Sequence, residues 1–167
     1  MCGIIGYTGG ENAVPRLLEG LESLEYRGYD SAGIAVFDGN NTLKVVKSKG
    51  RLALLRDKID HLSEKLSAHC GIGHTRWATH GEPSDINAHP HGTPRVYIVH
   101  NGIIENYHEI KDFLVGKNYD FVSETDTEIA AKLIDYYFVE TGDPTSAMQK
   151  ALSHLTGSYG LGVIFAG

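Results

Sequence analysis

The sequence predicts an α+β protein with antiparallel sheets, and two observations lead to this class. Segments with strand character follow one another as hairpins and helical segments occur in clusters, so the strict β–α–β alternation of a doubly wound parallel sheet is absent. Each helical segment also carries one apolar stripe, which is typical of a helix that covers one face of a sheet. The 167 residues are enough for one domain with a hydrophobic core.

The composition excludes several classes of protein. Apolar residues make up 41% and charged residues 22% of the chain, which is typical of a globular protein. The net charge of -6 disfavours non-specific binding to nucleic acid or to an acidic membrane. No apolar stretch approaches the roughly 20 residues that span a bilayer, and the N-terminus lacks a signal-peptide pattern. Cys2 and Cys70 make no disulfide framework, so we expect a reducing, cytoplasmic setting.

The N-terminal segment is predicted to form a strand followed by a helix. Residues 3–8 are apolar and rich in glycine, which indicates a buried strand. Apolar residues at helical spacing predict a helix over residues 12–26. Pro15 fits the first turn of this helix, and Gly28 lies where a left-handed residue commonly ends one.

The next segment is predicted to form a hairpin, a helix and a strand. Residues 32–37 and 43–49 flank the turn signal at residues 38–41. Leucine and isoleucine residues recur at steps of three and four over residues 52–66, which predicts a second amphipathic helix. Residues 70–76 read as a strand.

A polar loop over residues 75–94 follows this strand, and four of the nine histidines lie in it or beside it: His74, His80, His89 and His91. Polar loops of this length are uncommon in a compact domain unless they have a function. The rest of the chain predicts a strand over 95–101, helices over 104–114, 127–139 and 145–155, and a strand over 158–167. Because no polar tail follows that strand, we expect the chain to be a fragment cut near a domain boundary.

Cys2 is the first candidate for chemistry. If Met1 is removed, Cys2 carries a thiol with an ordinary pKa of about 8.5 and an α-amine with one of about 7.7–8. One residue then supplies a nucleophile and its general base. Gly3 and Gly6 would let the backbone pass close to a ligand or a strand. The alternative is a small buried cysteine on a first strand.

Two further segments have a structural and a functional interpretation. Residues 26–33 are either a helix end, with Arg27 favourable at its C-terminus, or a wall beside Cys2. Arg76 is suited to bind a carboxylate through two hydrogen bonds, and Trp77 is suited to cover a small pocket. The alternative for these two residues is a surface ion pair and a core aromatic.

Asn101 and Gly102 form a dipeptide that most often marks a hairpin turn, which is the favoured interpretation of the pair alone. The alternative is an oxyanion hole, because an Asn amide and the next backbone N–H can both donate to a developing negative charge. Thr125 and Glu128 fit a helix capping box with Asp126 in the first turn. Asp126 could instead pair with a substrate ammonium group.

The histidines raise the alternative of a metal-binding module without catalysis. His89 and His91 are two residues apart, with His74, His80 and His100 near in sequence. No H-E-x-x-H or paired C-x-x-C motif is present, so we expect neither a metal site nor a cofactor. Cys70 is expected to be a core residue.

Six segments of the chain resemble class II glutamine amidotransferases and, within that family, the glucosamine-6-phosphate synthases. These segments are residues 2–6, 25–33, 74–83, 87–91, 100–106 and 123–128. The resemblance covers the whole chain in order. It implies an N-terminal-nucleophile hydrolase fold, a four-layer αββα sandwich.

The resemblance also implies an activity. Cys2 would attack the side-chain amide of L-glutamine and form a γ-glutamyl thioester, while Asn101 and the Gly102 N–H form the oxyanion hole. Arg76 would bind the α-carboxylate of glutamine and Asp126 its α-amine. Further residues are implied near the substrate: Trp77, Thr79 and His80 on a closing loop, and Arg27, His89 and His100 around the site.

Residues 1–167 would then be a glutaminase domain. In the family such a domain precedes a sugar-phosphate isomerase domain, and its ammonia is used to make glucosamine 6-phosphate from fructose 6-phosphate. The fragment would release ammonia without making the sugar, and the full-length enzyme would be a homo-oligomer. The closer alternative is the glutaminase domain of an enzyme similar to amidophosphoribosyltransferase.

Overall fold

A computed structural model describes residues 2–38, 42–78 and 81–166, and within these ranges seven strands form two antiparallel sheets. The first sheet has the order β1-β4-β2-β3 and the second the order β5-β6-β7. The first sheet comprises β1 (Gly3–Thr8), β2 (Ser31–Asp38), β3 (Leu43–Lys49) and β4 (Ala68–Arg76). The second comprises β5 (His91–Gly92), β6 (Val96–Ile104) and β7 (Gly157–Phe165). Residues 39–41, where the hairpin turn was predicted, lie outside the described residues.

The helices of the described ranges cover the two outer faces of these sheets. They are α1 (Ala13–Leu24), α2 (Leu52–Asp60), α3 (Tyr107–Val115), α4 (Asp126–Thr141) and α5 (Pro144–His154). Helices α1 and α2 pack on the first sheet, and α3, α4 and α5 contribute to the core against the second. None of these helices is long and apolar enough to cross a membrane.

The two sheets face each other through a smaller apolar layer. Its buried residues are Ala35 and Ile72 from the first sheet and Val99 and Ile164 from the second. The layers therefore run helix, sheet, sheet, helix. The expected α+β fold with an αββα sandwich is confirmed.

Helix α1 forms where its apolar stripe predicts, and a capping residue that was not identified from the sequence begins it. The Asn12 side chain accepts a hydrogen bond from the Val14 N–H at 3.2 Å, and the stripe around Leu17 and Leu21 is fully buried. Gly28, predicted to be left-handed, is instead extended with φ of -171°. A Cβ at Gly28 would lie 2.9 Å from the carbonyl carbon of Arg76, so glycine is needed for close approach to β4.

The prediction of a buried first strand is wrong for most of β1. This strand lies at the edge of its sheet, and only alternate side chains such as Ile5 and Tyr7 pack towards α1. Gly3 is tightly enclosed, because a Cβ there would lie 2.7 Å from Leu24 Cβ. Gly6 is exposed, and no described atom lies within 4 Å of the Cβ position.

Helix α2 ends earlier than its leucine spacing predicts. It ends at Asp60, and Leu62 beyond it is 39% exposed. Leu66 still packs against the core under α1, and its carbonyl accepts a hydrogen bond from Asn12 Nδ2 at 3.2 Å. The apolar spacing therefore continues past the helix because a non-helical segment also buries a leucine.

The hairpin prediction for Asn101 and Gly102 is wrong. Strand β6 continues through both residues to Ile104, pairing Asn101 with Gly160 and Gly102 with Tyr159 of β7. An Asn-Gly turn needs flanking strands that pair with each other, whereas β6 pairs with a strand that is distant in sequence. The helix predicted from residue 104 consequently begins at Tyr107.

The start of α4 shows half of the predicted capping box. Thr125 Oγ1 accepts a hydrogen bond from the Glu128 N–H at 3.2 Å. The Glu128 carboxylate accepts instead from the N–H groups of Val122 and Ser123, so it closes the loop before the helix. Asp126 is thereby fixed as the first helical residue.

Candidate active site

Cys2 lies beside the end of β4 because of the register between β1 and β4. Gly3 is opposite Thr75, which brings Cys2 close to the chain after Arg76. The Trp77 N–H donates a hydrogen bond to Cys2 Sγ at 3.3 Å. Cys2 is partly exposed, so its sulfur is held in a defined position and remains accessible.

The Asn101 side chain lies against the backbone of Cys2. Its Nδ2 donates to the Cys2 carbonyl at 3.1 Å, and its Oδ1 lies 3.0 Å from His74 Nε2. An amide nitrogen carries two hydrogens, so the second hydrogen of Nδ2 remains for another acceptor. Gly102 follows with φ of +130°, a conformation open mainly to glycine.

Two groups of opposite charge, on Arg76 and Asp126, line a cavity together with Cys2. Arg76 is 4% exposed, and its Nη2 donates to the Gly81 carbonyl at 3.2 Å. Burial lowers the pKa of Arg76, and the nearby carboxylates of Asp30 and Asp126 act in the opposite direction. Asp126 Oδ2 accepts a hydrogen bond from the Ile104 N–H at 3.0 Å, which ties the start of α4 to β6.

These residues line two cavities. The smaller has a volume of about 50 Å³ and the larger about 590 Å³, and both are lined by Cys2, Trp77 and Gly102. The smaller is also lined by Arg76, Asp126, His89 and His100, and the larger by Arg27 and Asn101. Every predicted site residue within the described ranges therefore lines one of them. Thr79 and His80 lie outside the described residues.

Four histidines form a buried cluster behind the smaller cavity: His74, His89, His91 and His100. The rings of His74 and His89 are 4.1 Å apart and those of His89 and His91 5.0 Å apart, both edge to face. Burial lowers the pKa of His74 to about 4 and that of His91 to about 3. Burial likewise lowers the pKa of His89 and of His100, so the cluster is neutral near pH 7.

The histidine cluster offers no support for the metal-binding alternative. Within residues 2–38, 42–78 and 81–166, no group of three or more His, Cys, Asp or Glu side chains is arranged to hold a metal ion. His91 Nε2 contacts the Asn87 carbonyl at 3.4 Å and Thr125 Oγ1 at 3.2 Å. His89 Nε2 and His100 Nδ1 both contact Thr127 Oγ1, so these two nitrogens already have an oxygen partner within the protein.

The sequence did not indicate the contacts that three residues make in this region. Thr127, for which the sequence indicated only a helix, joins His89 and His100. His74, which the sequence raised only as a possible metal ligand, contacts Asn101. Asp30 Oδ2 accepts a hydrogen bond from the Ala78 N–H at 2.8 Å. The Tyr29 ring lies edge to face with Trp77 at 5.5 Å, so residues 26–33 form the predicted wall beside Cys2. In the sequence, the signal for this wall was the high proportion of polar residues in 26–33, directly before an apolar strand.

Comparison with protein families agrees with this geometry. The family described as a glutamine amidotransferase domain matches residues 74–166. The chain belongs to the class II glutamine amidotransferase family. The matched region contains Arg76, Asn101 and Asp126, whereas Cys2 precedes it.

Curated proteins that are similar to this chain share one name. The chain is 52% identical to a glutamine–fructose-6-phosphate aminotransferase (isomerizing) of Caldanaerobacter subterraneus over 166 residues, which are 98% of the chain and 26% of that protein. It is also 52% identical to the Staphylococcus aureus protein of the same name, covering 99% of the chain and 27% of the relative. The amidotransferase chain thus spans about a quarter of the length of these relatives.

Solved structures of amidotransferases have the same fold. A glutamine phosphoribosylpyrophosphate amidotransferase of B. subtilis matches with a TM-score of 0.81 and 26% identity, over 99% of this chain and 35% of the other. A class II glutamine aminotransferase domain protein of Silicibacter pomeroyi has a TM-score of 0.64 at 16% identity, over 99% of this chain and 73% of the other. The second comparison supports the fold alone.

Proposed function

We propose that this chain hydrolyses the side-chain amide of L-glutamine to glutamate and ammonia through a thioester on Cys2. The observation that supports this most directly is the convergence around one sulfur atom. Cys2 Sγ lies at cavities that also carry the amide of Asn101 and the charged groups of Arg76 and Asp126. Hydrolysis of glutamine needs a nucleophile and oxyanion donors at the side-chain amide. Binding of its amino-acid end needs a cation for the α-carboxylate and an anion for the α-ammonium group.

In this proposal the chain supplies its own base. The free α-amine of Cys2, present after removal of Met1, takes the thiol proton, and the sulfur attacks the amide carbon. The oxyanion that forms accepts hydrogen bonds from the second hydrogen of Asn101 Nδ2 and from the Gly102 N–H. The amine then gives its proton to the departing ammonia, and water hydrolyses the thioester to glutamate.

In this proposal the amino-acid end of glutamine lies at the smaller cavity. Arg76 binds the α-carboxylate and Asp126 the α-ammonium group, since each lines the smaller cavity with an appropriate charge. Trp77, Thr79 and His80 cover the substrate in this proposal, and Arg27 and His100 border it. His89 has both ring nitrogens in contact with His74 and Thr127, which favours a positioning role over direct contact with substrate.

The relatives suggest where the ammonia goes. Because relatives that are 52% identical are named glutamine–fructose-6-phosphate aminotransferases, we propose that this glutaminase domain supplies ammonia to a sugar-phosphate isomerase domain that makes glucosamine 6-phosphate. We further propose a homo-oligomeric, cytoplasmic enzyme that needs no cofactor for glutamine hydrolysis. The phosphoribosylpyrophosphate alternative is less favoured, since the match to that class is 26% identical.

A glutamine-hydrolysis assay with intact mass spectrometry tests the central proposal. Protein that begins at Cys2 should release ammonia from glutamine, and protein that retains Met1 should be at least about a hundredfold slower, the lower end of a general base's contribution. Equal rates with and without Met1 would assign the base to another group. Activity should persist in strong chelator, whereas its loss together with one bound metal per chain would favour the metal-binding alternative.

The second cysteine provides a matched control for the nucleophile. A glutamine analogue with an electrophilic side chain should label Cys2 and spare Cys70, which is also free and partly buried. Cys2→Ala should abolish hydrolysis, while Cys70→Ala should retain it. Label found mainly on Cys70 would refute the assignment.

A further inference from the structure

A buried histidine lies directly behind the amide proposed to bind the oxyanion. His74 is fully buried on β4, and its Nε2 lies 3.0 Å from Asn101 Oδ1 and 3.1 Å from the His100 carbonyl oxygen. The His100 carbonyl can only accept, so Nε2 must carry a hydrogen. Because burial lowers the pKa of His74 to about 4, the ring is neutral near pH 7 and Nδ1 carries no hydrogen.

This tautomer of His74 determines the orientation of the Asn101 amide. With Oδ1 towards His74, the amide accepts from Nε2–H and its Nδ2 donates to the Cys2 carbonyl at 3.1 Å. The flipped amide would place two donors together at His74 and two acceptors together at Cys2. Both contacts would then be lost in a partly buried setting, where an unpaired polar group costs more than the hydrogen bond alone contributes.

His89 contacts the face of the His74 ring. Its Nδ1 is 3.0 Å from His74 Nδ1 and 3.2 Å from His74 Nε2, and the two rings are almost perpendicular at 88°. An atom at these distances from both nitrogens cannot lie in the plane of the ring, because it would overlap the ring carbon between them. His89 Nδ1 therefore lies above the ring plane. An N–H is favourable over the electron-rich face of a neutral ring. His89 therefore carries its hydrogen on Nδ1, and a protonated His74 would repel it.

Thr127 completes the arrangement. With the hydrogen of His89 on Nδ1, its Nε2 accepts from the Thr127 hydroxyl at 2.7 Å. The same oxygen accepts from His100 Nδ1–H at 2.9 Å. Thr127 Oγ1 is also 3.5 Å from Asp126 Oδ1, which is too long to compete for its single hydrogen. His100 Nε2 then carries a lone pair, and it has no hydrogen-bond partner among the described residues.

We propose that His74 is a positioning residue that holds the Asn101 amide in the orientation used for the oxyanion. His89, Thr127 and His100 keep the His74 ring neutral and in its Nε2–H form. This inference rests on the proposed glutaminase function. His74 acts through Asn101 and does not contact the reacting atoms.

A double-mutant cycle tests this dependence. His74→Phe removes the donor and keeps a planar ring, and it should lower kcat about 10- to 100-fold with KM for glutamine little changed, as expected for a misplaced catalytic group. In an Asn101→Ala background the same substitution should lower kcat less than about threefold, because the group it positions is already absent. If the two losses multiply in full, His74 does not act through Asn101 and the inference is overturned.

A conservative replacement separates positioning from packing. His74→Gln places an amide N–H near the position of Nε2 and should recover at least about tenfold of the kcat lost in His74→Phe. The matched control is His69→Phe, since His69 lies on the same strand with its side chain exposed. That control should keep wild-type kcat and KM. A glutamine variant as slow as the phenylalanine variant would contradict a positioning role.

A measurement on the wild-type chain decides the matter if the His74 variants do not fold. Nitrogen-15 imidazole shifts at pH 7 should show the Nε2–H tautomer for His74 and the Nδ1–H tautomer for His89 and His100. An imidazolium or an Nδ1–H tautomer at His74 would overturn the inference. Wild-type protein that begins at Cys2 and hydrolyses no glutamine would instead refute the proposed function. Active protein with the wrong tautomer, or with multiplicative losses, refutes only the role of His74.

Discussion

Replacing Gly102 by alanine is the most direct structural test of the proposed oxyanion site. A Cβ built at this position would lie 2.1 Å from the Ser158 carbonyl oxygen and 2.7 Å from Tyr159 Cα, both backbone atoms of β7. Since Cβ contacts below 3.0 Å are essentially never observed, β6 and β7 must separate locally by about 0.9 Å. The residue would also have to keep φ near +130°, where alanine is strained.

The strained φ and the short distances determine the expected losses in stability and in rate. A non-glycine residue in such a conformation costs about 1–3 kcal/mol. In a chain of this size each kcal/mol lowers Tm by about 2–4 °C, so Tm should fall by roughly 2–12 °C. A shift close to 1 Å in a positioned group costs about 10²-fold in rate, so kcat should fall by about that factor. The KM for glutamine should change little, because Arg76 and Asp126 lie on other elements.

The assay combines a thermal melt with steady-state ammonia release at a temperature where the variant is folded. Gly6→Ala is the matched control, because Gly6 is also a strand glycine and its Cβ would meet no described atom within 4 Å. The control should keep its kcat and melt within a few degrees of the wild type. If Gly102→Ala melts lower but hydrolyses glutamine at the wild-type rate, the proposed role of this strand position in catalysis is wrong.

Three further predictions concern stability and substrate binding. Because the pKa of His74 is about 4 and that of His91 about 3 in the folded chain, the unfolded chain binds more protons below about pH 6.5. The free energy of unfolding, measured by urea titration, should therefore fall as the pH is lowered from 7 to 5. The slope should reach up to about 1.4 kcal/mol per pH unit for each ring, and a free energy of unfolding that does not change with pH would contradict neutral buried rings. Asp135→Asn should lower the free energy of unfolding by about 3 kcal/mol in the same titration, because the buried carboxylate accepts hydrogen bonds from Arg95 at 2.6 and 2.8 Å. An unchanged free energy of unfolding would contradict this role of the ion pair. Arg76→Lys should raise KM for glutamine by roughly 10- to 100-fold in ammonia-release kinetics with kcat less affected, and an unchanged KM would remove Arg76 from the carboxylate site.

The sequence predicted most elements of this fold because local patterns determined them. The apolar spacing that includes Leu17 and Leu21 identified α1, and Thr125 identified the start of α4. The errors occurred where a local pattern competes with distant pairing. Leu62 continues the helical spacing of α2, yet the chain leaves the helix before it. Asn101 and Gly102 have the composition of a turn, and the pairing of β6 with β7 keeps them in a strand.

The residues of the candidate site also differ in how far the sequence could indicate them. For Cys2, Arg76 and Asp126 the sequence offered a structural and a functional interpretation, and it favoured the functional one only through its resemblance to the family. It could not indicate that His74 contacts Asn101, since that contact depends on how β4 of one sheet lies against β6 of the other.

The sandwich itself explains why the proposed catalytic groups and the residues that support them come from different layers. Cys2 and His74 belong to the first sheet or its edge, Asn101 and Gly102 to the second, and Asp126 to the helix that covers the second. No single element carries both the proposed nucleophile and the proposed oxyanion donors, so their separation is fixed by the packing of the two sheets. A substitution that widens the layer between the sheets, such as Val99→Phe, should therefore slow catalysis even though Val99 does not line either cavity at Cys2. A Val99→Phe variant that folds and retains the wild-type kcat would show that the site tolerates sheet displacement and is assembled locally.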